Sequence, residues 1–289
     1  MNTLVQIKQA GITQVQSLLK KRLPKGSSET AVQLAEEYYN RSMAREFAQV
    51  EQEDLYGALL CLWDLTQKRR KDQTLIRVYN PNHEDHQWHC SHTVVEVLMD
   101  DMPFVVASVN MAIVEMGIGI HQMTHPVIRV QRDKNGKLKH VLASGEAEPA
   151  KGSCTTEALI RLEIDHQPDA ESRDKVKEQL QKVLLDVRQT VRDWAAMKQQ
   201  MQEAIDWSEA NALELDPQVN GETLEFLRWL LSDRFLFLGF RYYELNCGDA
   251  DASGHAVCTL NYQDKSGLGI LGEPVSQQSI ELSPYLSQL

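Results

Sequence analysis

Basic charge is in short supply. Against 41 Asp and Glu residues stand 30 Lys and Arg, a formal net charge of −11. Surfaces for nucleic acid or anionic lipid need clustered cations, so neither partner class is expected. Cysteine is scarce and unpatterned. Cys61, Cys90, Cys154, Cys247 and Cys258 are odd in number and form no C-x-x-C pair, which reads as reduced thiols in a cytoplasmic protein. The opening MNTLVQIKQAG lacks the apolar core of a secretion signal. Long hydrophobic runs are missing too. The most apolar stretch, Met102 to Ile120, contains Asn110 and Glu115 and reads as a buried helix. There is no G-x-S-x-G, P-loop or H-E-x-x-H, so no catalytic residue is assigned.

One motif runs against this pattern of absences. SGLGILGEP carries G-x-G-x-x-G at Gly267, Gly269 and Gly272, the spacing of a dinucleotide-binding turn. That turn must leave a strand directly and open a helix whose first N–H groups meet the pyrophosphate. Here Asp264, Lys265 and Ser266 separate the strand-like HAVCTLNYQ from the first glycine. The following SQQSIELSPYLSQL has no sustained apolar period, so the glycines read as loop residues and no cofactor is assigned to them.

What is present is an orderly succession of elements. TLVQIKQAGITQVQSLLKKRLP places Leu4, Ile7, Ile12, Val15, Leu18 and Leu19 near one helical face and stops at Pro24. SSETAVQLAEEYYNR begins with serines suited to cap a second helix. Glu53 to Arg70 is acidic in front and basic behind, as the helix dipole prefers. From Asp72 the period changes. Thr74 to Pro81 and His92 to Asp101 read as strands, and a stripe of Val105, Val109, Ala112, Ile113 and Met116 as a helix. Asn135-Gly136 predicts a hairpin with a type I′ turn. TEALIRLEID alternates, with Ala158, Ile160, Leu162 and Ile164 opposite Leu159, Arg161 and Glu163.

A long helix from about Ala170 to Trp207 repeats Leu180, Val187, Trp194 and Met201 every seven residues. It spans roughly 50 Å at about 1.5 Å per residue, more than a small sheet covers. Its first half is expected on the sheet and its second on a neighbouring domain or subunit. A further helix (Glu222 to Asp233) and strand (Arg234 to Leu245) follow, opening a unit that looks unfinished at Leu289. The class is α+β: a helical segment (1–71), a ferredoxin-like sandwich with helices on one face and the long helix (72–207), and a helix with the start of a second α+β unit (208–289).

Two places carry candidate chemistry. NHEDHQWHCSH gathers His83, His86, His89, Cys90 and His92, with His121 and His125 as a weak complement. Zinc sites usually draw ligands from two elements, and with no second cluster no metal site is assigned. Asp100 and Asp101 stand where a strand meets a helix. Neighbours on a strand face opposite sides, which argues against a carboxylate dyad. Asp101 or its neighbour is placed to cap the helix, with Pro103 in the first turn. The same turn offers free N–H groups to the carboxylate of a small ligand.

At HTVVEVLMDDMPFVVASV, preceded by Trp88 and followed by HPVIRV, LIRLEID and EFLRWLLSDRFLFLGFRYYEL, the chain resembles the N-terminal region of the large bacterial NAD-specific glutamate dehydrogenases. The resemblance runs from about residue 50 to 272, includes GLGIL, and over the first 50 residues is one of helical character only. It implies a much longer parent that oxidises glutamate with NAD to 2-oxoglutarate and ammonia in a C-terminal catalytic region. It further implies ACT-type modules in this segment, non-catalytic and concerned with regulation or assembly. Its partners would be that catalytic region, sister subunits and an amino-acid effector. The effector site would be the turn Asp100, Asp101, Met102, Pro103, Phe104 and Val105. Phe104 stands where the ACT pattern D-x-P-G has glycine. A purely structural scaffold that oligomerises without ligand is the alternative.

Overall fold

The computed structural model describes residues 3–40, 47, 50–211, 217–248, 257–263, 266–273 and 279–282. The chain divides into two compact units, residues 1–184 and 185–289.

The first unit begins with three helices, α1 (Thr3–Arg22), α2 (Lys25–Asn40) and α3 (Gln52–Thr66). In α1 the expected face is only half used: Ile12, Val15 and Leu19 are buried, whereas Leu4 and Ile7 are exposed. Helix α2 starts ahead of the serines. The N–H groups of Ser27 and Ser28 donate to the Pro24 carbonyl, and Ser28 Oγ bonds back to the Lys25 carbonyl at 3.1 Å instead of capping. Helix α3 ends at Thr66, so Lys68, Arg69 and Arg70 lie beyond it and are not its basic last turn.

Six strands form one antiparallel sheet: β1 (Leu75–Tyr79), β2 (Thr93–Asp100), β3 (Ile120–Thr124), β4 (Val127–Arg132), β5 (Leu138–Leu142) and β6 (Thr155–Ile164). The one-turn helix α4 (His83–His86) lies between β1 and β2, and α5 (Val105–Glu115) between β2 and β3. The order is β1-β2-β6-β4-β5, with β3 also on β6. Strands β3 and β4 are two halves of one broken strand alongside β6. The first pairs with Arg161 to Ile164 and the second with Thr155 to Ala158, and Pro126 sits at the break. With them counted together and the hairpin strand β5 set apart as an addition, β2-α5-β3/β4-β6-α6 reproduces the ferredoxin-like β-α-β-β-α path. Strand β1 arrives from the N-terminal side to take the edge beside β2.

Cover comes on both faces, which corrects the expectation of helices on one. Cross-strand register sets Leu98 opposite Leu159. These two join Ile128 and Val130 in one buried cluster with residues of α1, α2 and α3. The alternate face carries Val95, Val97, Ile160 and Leu162, fully buried. Also buried, and outside the N-terminal cluster, are the stripe Val105, Val109, Ala112 and Ile113 of α5 and the i, i+4 series Val176, Leu180 and Leu184 of α6 (Ala170–Ala210). A strand buried on both faces is why β6 is apolar on one side and yet holds Leu159 inside on the other.

The hairpin is present, but its turn differs from type I′. Only Gly136 has positive φ (+80°); the Gly136 N–H donates to the Asp133 carbonyl, and Asp133 Oδ1 accepts from the N–H groups of Asn135 and Lys137. An aspartate-organised turn with one left-handed glycine replaces the Asn-Gly pair.

In the second unit, residues 185–210 of α6 continue with a new buried series, Thr190, Met197 and Ile205. The seven-residue repeat holds in sequence, but Val187, Trp194 and Met201 are only half-buried. Helix α7 (Pro217–Trp229) runs into a kinked turn, Leu230–Arg234, where Ser232 and Asp233 leave helical backbone angles. The expected strand 234–245 is broken into β7 (Gly239–Phe240) and β8 (Tyr243–Cys247). Strands β8, β9 (Cys258–Tyr262) and β11 (Ser279–Glu281) form one antiparallel sheet, and β7 pairs with β10 (Leu268–Gly269). Cys247 faces Cys258 across β8 and β9, and the two are disulfide-bonded. This corrects the reading of five reduced thiols: strand register supplies a pairing that spacing does not show.

The Gly267–Gly272 stretch is accounted for by packing of backbone on backbone. A Cβ on Gly269 would strike the Leu238 carbonyl, and one on Gly267 the Leu271 carbonyl. The Gly269 N–H donates to Asp193 Oδ2 at 2.9 Å.

Candidate functional site

The turn between β2 and α5 keeps its six candidate residues adjacent but gives them separate tasks. Asp100 faces the N-terminal helices and binds Arg69 Nη2 at 2.6 Å. Asp101 is exposed, and its N–H donates to the Thr156 carbonyl at 3.0 Å. Met102 is half-buried and Pro103 exposed. Phe104, not Asp101, is the N-cap of α5, and no side chain caps this helix. Pro103 therefore precedes the first turn. Phe104 has φ +71° with its side chain half exposed, and Val105 begins the buried stripe. A phenylalanine thus holds the left-handed backbone that glycine adopts without cost.

Beside this turn lies a buried charge cluster. Glu157, fully buried, takes both Nε and Nη2 of Arg132 at 2.7 and 2.8 Å and Arg69 Nη2 at 3.0 Å. Arg69 also donates to the Gln73 carbonyl, and Arg132 to the carbonyls of Thr66 and Gly136. Burial disfavours the Arg69 cation, but hydrogen bonding to Asp100 and the charges of Glu157 and Asp100 outweigh it and raise its pKa. The signal was present in β6: Glu157, Arg161 and Glu163 share the face of Leu159, and charged residues on a buried face require partners.

A concavity of about 1070 Å³ in the first unit lies at the other end of β6. Loop 87–92 forms one wall. Asn82 caps α4 by accepting from the Asp85 N–H, and Gln87 ends it at φ +63°. Thr93 Oγ1 donates to Asn80 Oδ1 and accepts from the Gln167 N–H, which pins the loop's exit. Gly57 lets α3 approach: a Cβ there would lie 2.6 Å from Trp88 Cβ. Trp88 is buried, and the Arg161 guanidinium sits 5.2 Å from its ring centre, a cation–π arrangement. Arg161 Nη1 binds Glu163 Oε1 at 2.9 Å.

Of the histidine-rich stretch, the fold brings only part together. His86 stacks on Tyr79, and His83 on His89. His92 instead reaches Glu163, with Nδ1 3.3 Å from Oε2, and Cys90 Sγ lies 3.6 Å from that oxygen and 3.8 Å from His92 Nδ1. His121, the extra residue of a bulge in β3, stacks on His92 with ring centres 4.1 Å apart and bonds Asp165 at 2.8 Å. Burial works against the Glu163 carboxylate, yet Arg161 outweighs it and holds the group below the usual range. Burial pushes the Cys90 thiol up to about 11.

The β-α-β-β-α path, with its strand–helix turn at residues 100–105, defines the class of ferredoxin-like α+β modules. The particular family is shown by sequence comparison. Residues 34–180 match the family described as glutamate dehydrogenase, ACT1 domain, and the chain belongs to that family. It is 32% identical over 275 residues to the NAD-specific glutamate dehydrogenase of Pseudomonas aeruginosa, covering 94% of this chain and 16% of that protein. It is 33% identical over 235 residues to the NAD-specific glutamate dehydrogenase of Halomonas elongata, covering 81% and 14%. The chain thus spans about one sixth of these relatives or less.

Proposed function

We propose that this chain is a non-catalytic regulatory and assembly segment of a cytoplasmic NAD-dependent glutamate dehydrogenase. The catalytic region would lie elsewhere in the parent, convert glutamate to 2-oxoglutarate and ammonia, and carry the NAD. The observation that carries this reading is the ACT1 match, which falls wholly inside the first unit and includes the β2–α5 turn. The effector would be a free amino acid. Its carboxylate would meet the first N–H groups of α5, and its ammonium group would meet Asp101. The left-handed Phe104 supports the reading, because it maintains at that turn the backbone shape of the glycine it replaces. The effector would act by binding one state of the parent more tightly than the other.

A scaffold role is favoured by a separate observation. The second unit exposes Trp207, Phe226, Trp229, Phe235, Leu238 and Leu245, a dense set of large apolar side chains that subunit contact would cover. Concentration-dependent mass of the isolated chain separates this reading from a monomeric sensor.

The test of the proposal is glutamate-dependent NAD reduction, measured for this chain alone, for the full-length parent and for the parent lacking it. The chain alone is expected to be inactive, and the truncated parent to turn over without effector response. NAD reduction by the chain alone would overturn the reading.

A further inference from the structure

We propose that Cys90, His92 and Glu163 form a binding site for a divalent cation of the zinc type, with its fourth coordination position opening onto the cavity beside β6. The donors are a thiol, an imidazole and a carboxylate, a set that zinc accepts and that disfavours magnesium or calcium. They come from two elements far apart in sequence, the loop before β2 and strand β6, which is the feature the histidine-rich stretch lacks by itself.

The donor spacing matches a metal site. Zinc lies about 2.3 Å from sulfur, about 2.0–2.1 Å from nitrogen and about 2.0–2.2 Å from oxygen. At tetrahedral angles those lengths give donor–donor edges of about 3.6 Å for S···N, about 3.6 Å for S···O and about 3.4 Å for N···O. The observed edges are 3.8, 3.6 and 3.3 Å. A direct imidazole–carboxylate hydrogen bond is most often about 2.9 Å, shorter than the 3.3 Å between His92 and Glu163.

The surroundings are those of a ligand set held in place. Arg161 occupies Glu163 Oε1 and turns Oε2 toward the other two donors. The backbone N–H of His92 donates to Cys90 Sγ at 3.4 Å and offsets part of the burial that raises this thiol. Stacking on His121 fixes the plane of the His92 ring. All three donors line the cavity, where water or a donor atom of a small ligand would complete the coordination.

The experiment uses the 289-residue chain, stripped with chelator and titrated with Zn²⁺ against a chromophoric chelator, then with Co²⁺. One equivalent is expected, with a Co²⁺–thiolate charge-transfer band. Losing an outer-shell partner costs about 10–100-fold in affinity, so Cys90→Ser and Glu163→Gln are each expected to lose more than about 100-fold. His83→Gln and His86→Gln should bind as the parent chain does. Should the Cys90 or Glu163 variants fail to fold, the unmodified chain decides: Zn²⁺ should protect Cys90 from alkylation while leaving Cys61 and Cys154 unaffected. Absence of a thiolate band with unprotected Cys90, or affinity lost in the His83 and His86 variants but kept in Cys90→Ser, overturns the site.

Discussion

Glu157 shows how much rests on single side chains in this fold. It is fully buried and is shared by Arg69 and Arg132, which are themselves almost wholly buried. Removing it leaves two guanidinium groups in a poorly solvated interior, and breaking a buried ion pair from one side costs about 3–5 kcal/mol. Glu157→Ala is therefore expected to lower the unfolding free energy of the first unit by about that amount in urea titration. Phe104 gives the opposite sign. A left-handed L-residue carries about 1–2 kcal/mol of strain, and little apolar burial is lost from a half-exposed ring. Set against the greater chain entropy of glycine in the unfolded state, about 0.4–1 kcal/mol, Phe104→Gly should raise stability by up to about 1 kcal/mol. A clear loss would show that the ring contributes packing this account leaves out.

At the level of elements, strand and helix positions were readable because their apolar periods are clean. The runs at 74–81 and 92–101, the α5 stripe and the long helix all appear close to where periodicity places them. What composition and spacing could not supply was which faces meet. The alternation of β6 showed two faces but did not show that both are buried. Nor did the histidine-rich loop point to Glu163, because antiparallel pairing of β2 with β6 creates that proximity. Cys247 and Cys258 escaped for the same reason, and the left-handed Phe104 because a phenylalanine does not advertise positive φ. Helix α6 offers a direct check on its buried face. Leu180→Ala should cost about 2–5 kcal/mol, whereas Leu185→Ala, next to the buried Leu184 but itself half exposed, should stay within about 0.5 kcal/mol. In α3, Gly57→Ala would gain up to about 1 kcal/mol of helix propensity. The clash with Trp88 wins, and a net loss of about 1–3 kcal/mol is expected in the same titration.

For the molecule as a whole, surface carboxylates set the response to acid. Asp133, Asp165 and Asp169 are held below the ordinary 3.8 by N–H groups of Lys137, Gly119 and Ser172 respectively. A carboxylate with a lowered folded pKa adds stability that is present above its unfolded value and lost as pH falls through the folded one. Thermal midpoints should accordingly be level near neutrality and fall below about pH 4. The regulatory reading itself is most directly tested by thermal unfolding of this chain against the twenty amino acids, 2-oxoglutarate, citrate and NAD. A ligand at about 100 times its dissociation constant stabilises the folded state by about 2.7 kcal/mol. The account predicts a shift with an amino acid that disappears in Asp101→Ala. A shift with NAD and with no amino acid would contradict it and return the Gly267–Gly272 turn to the centre of the problem.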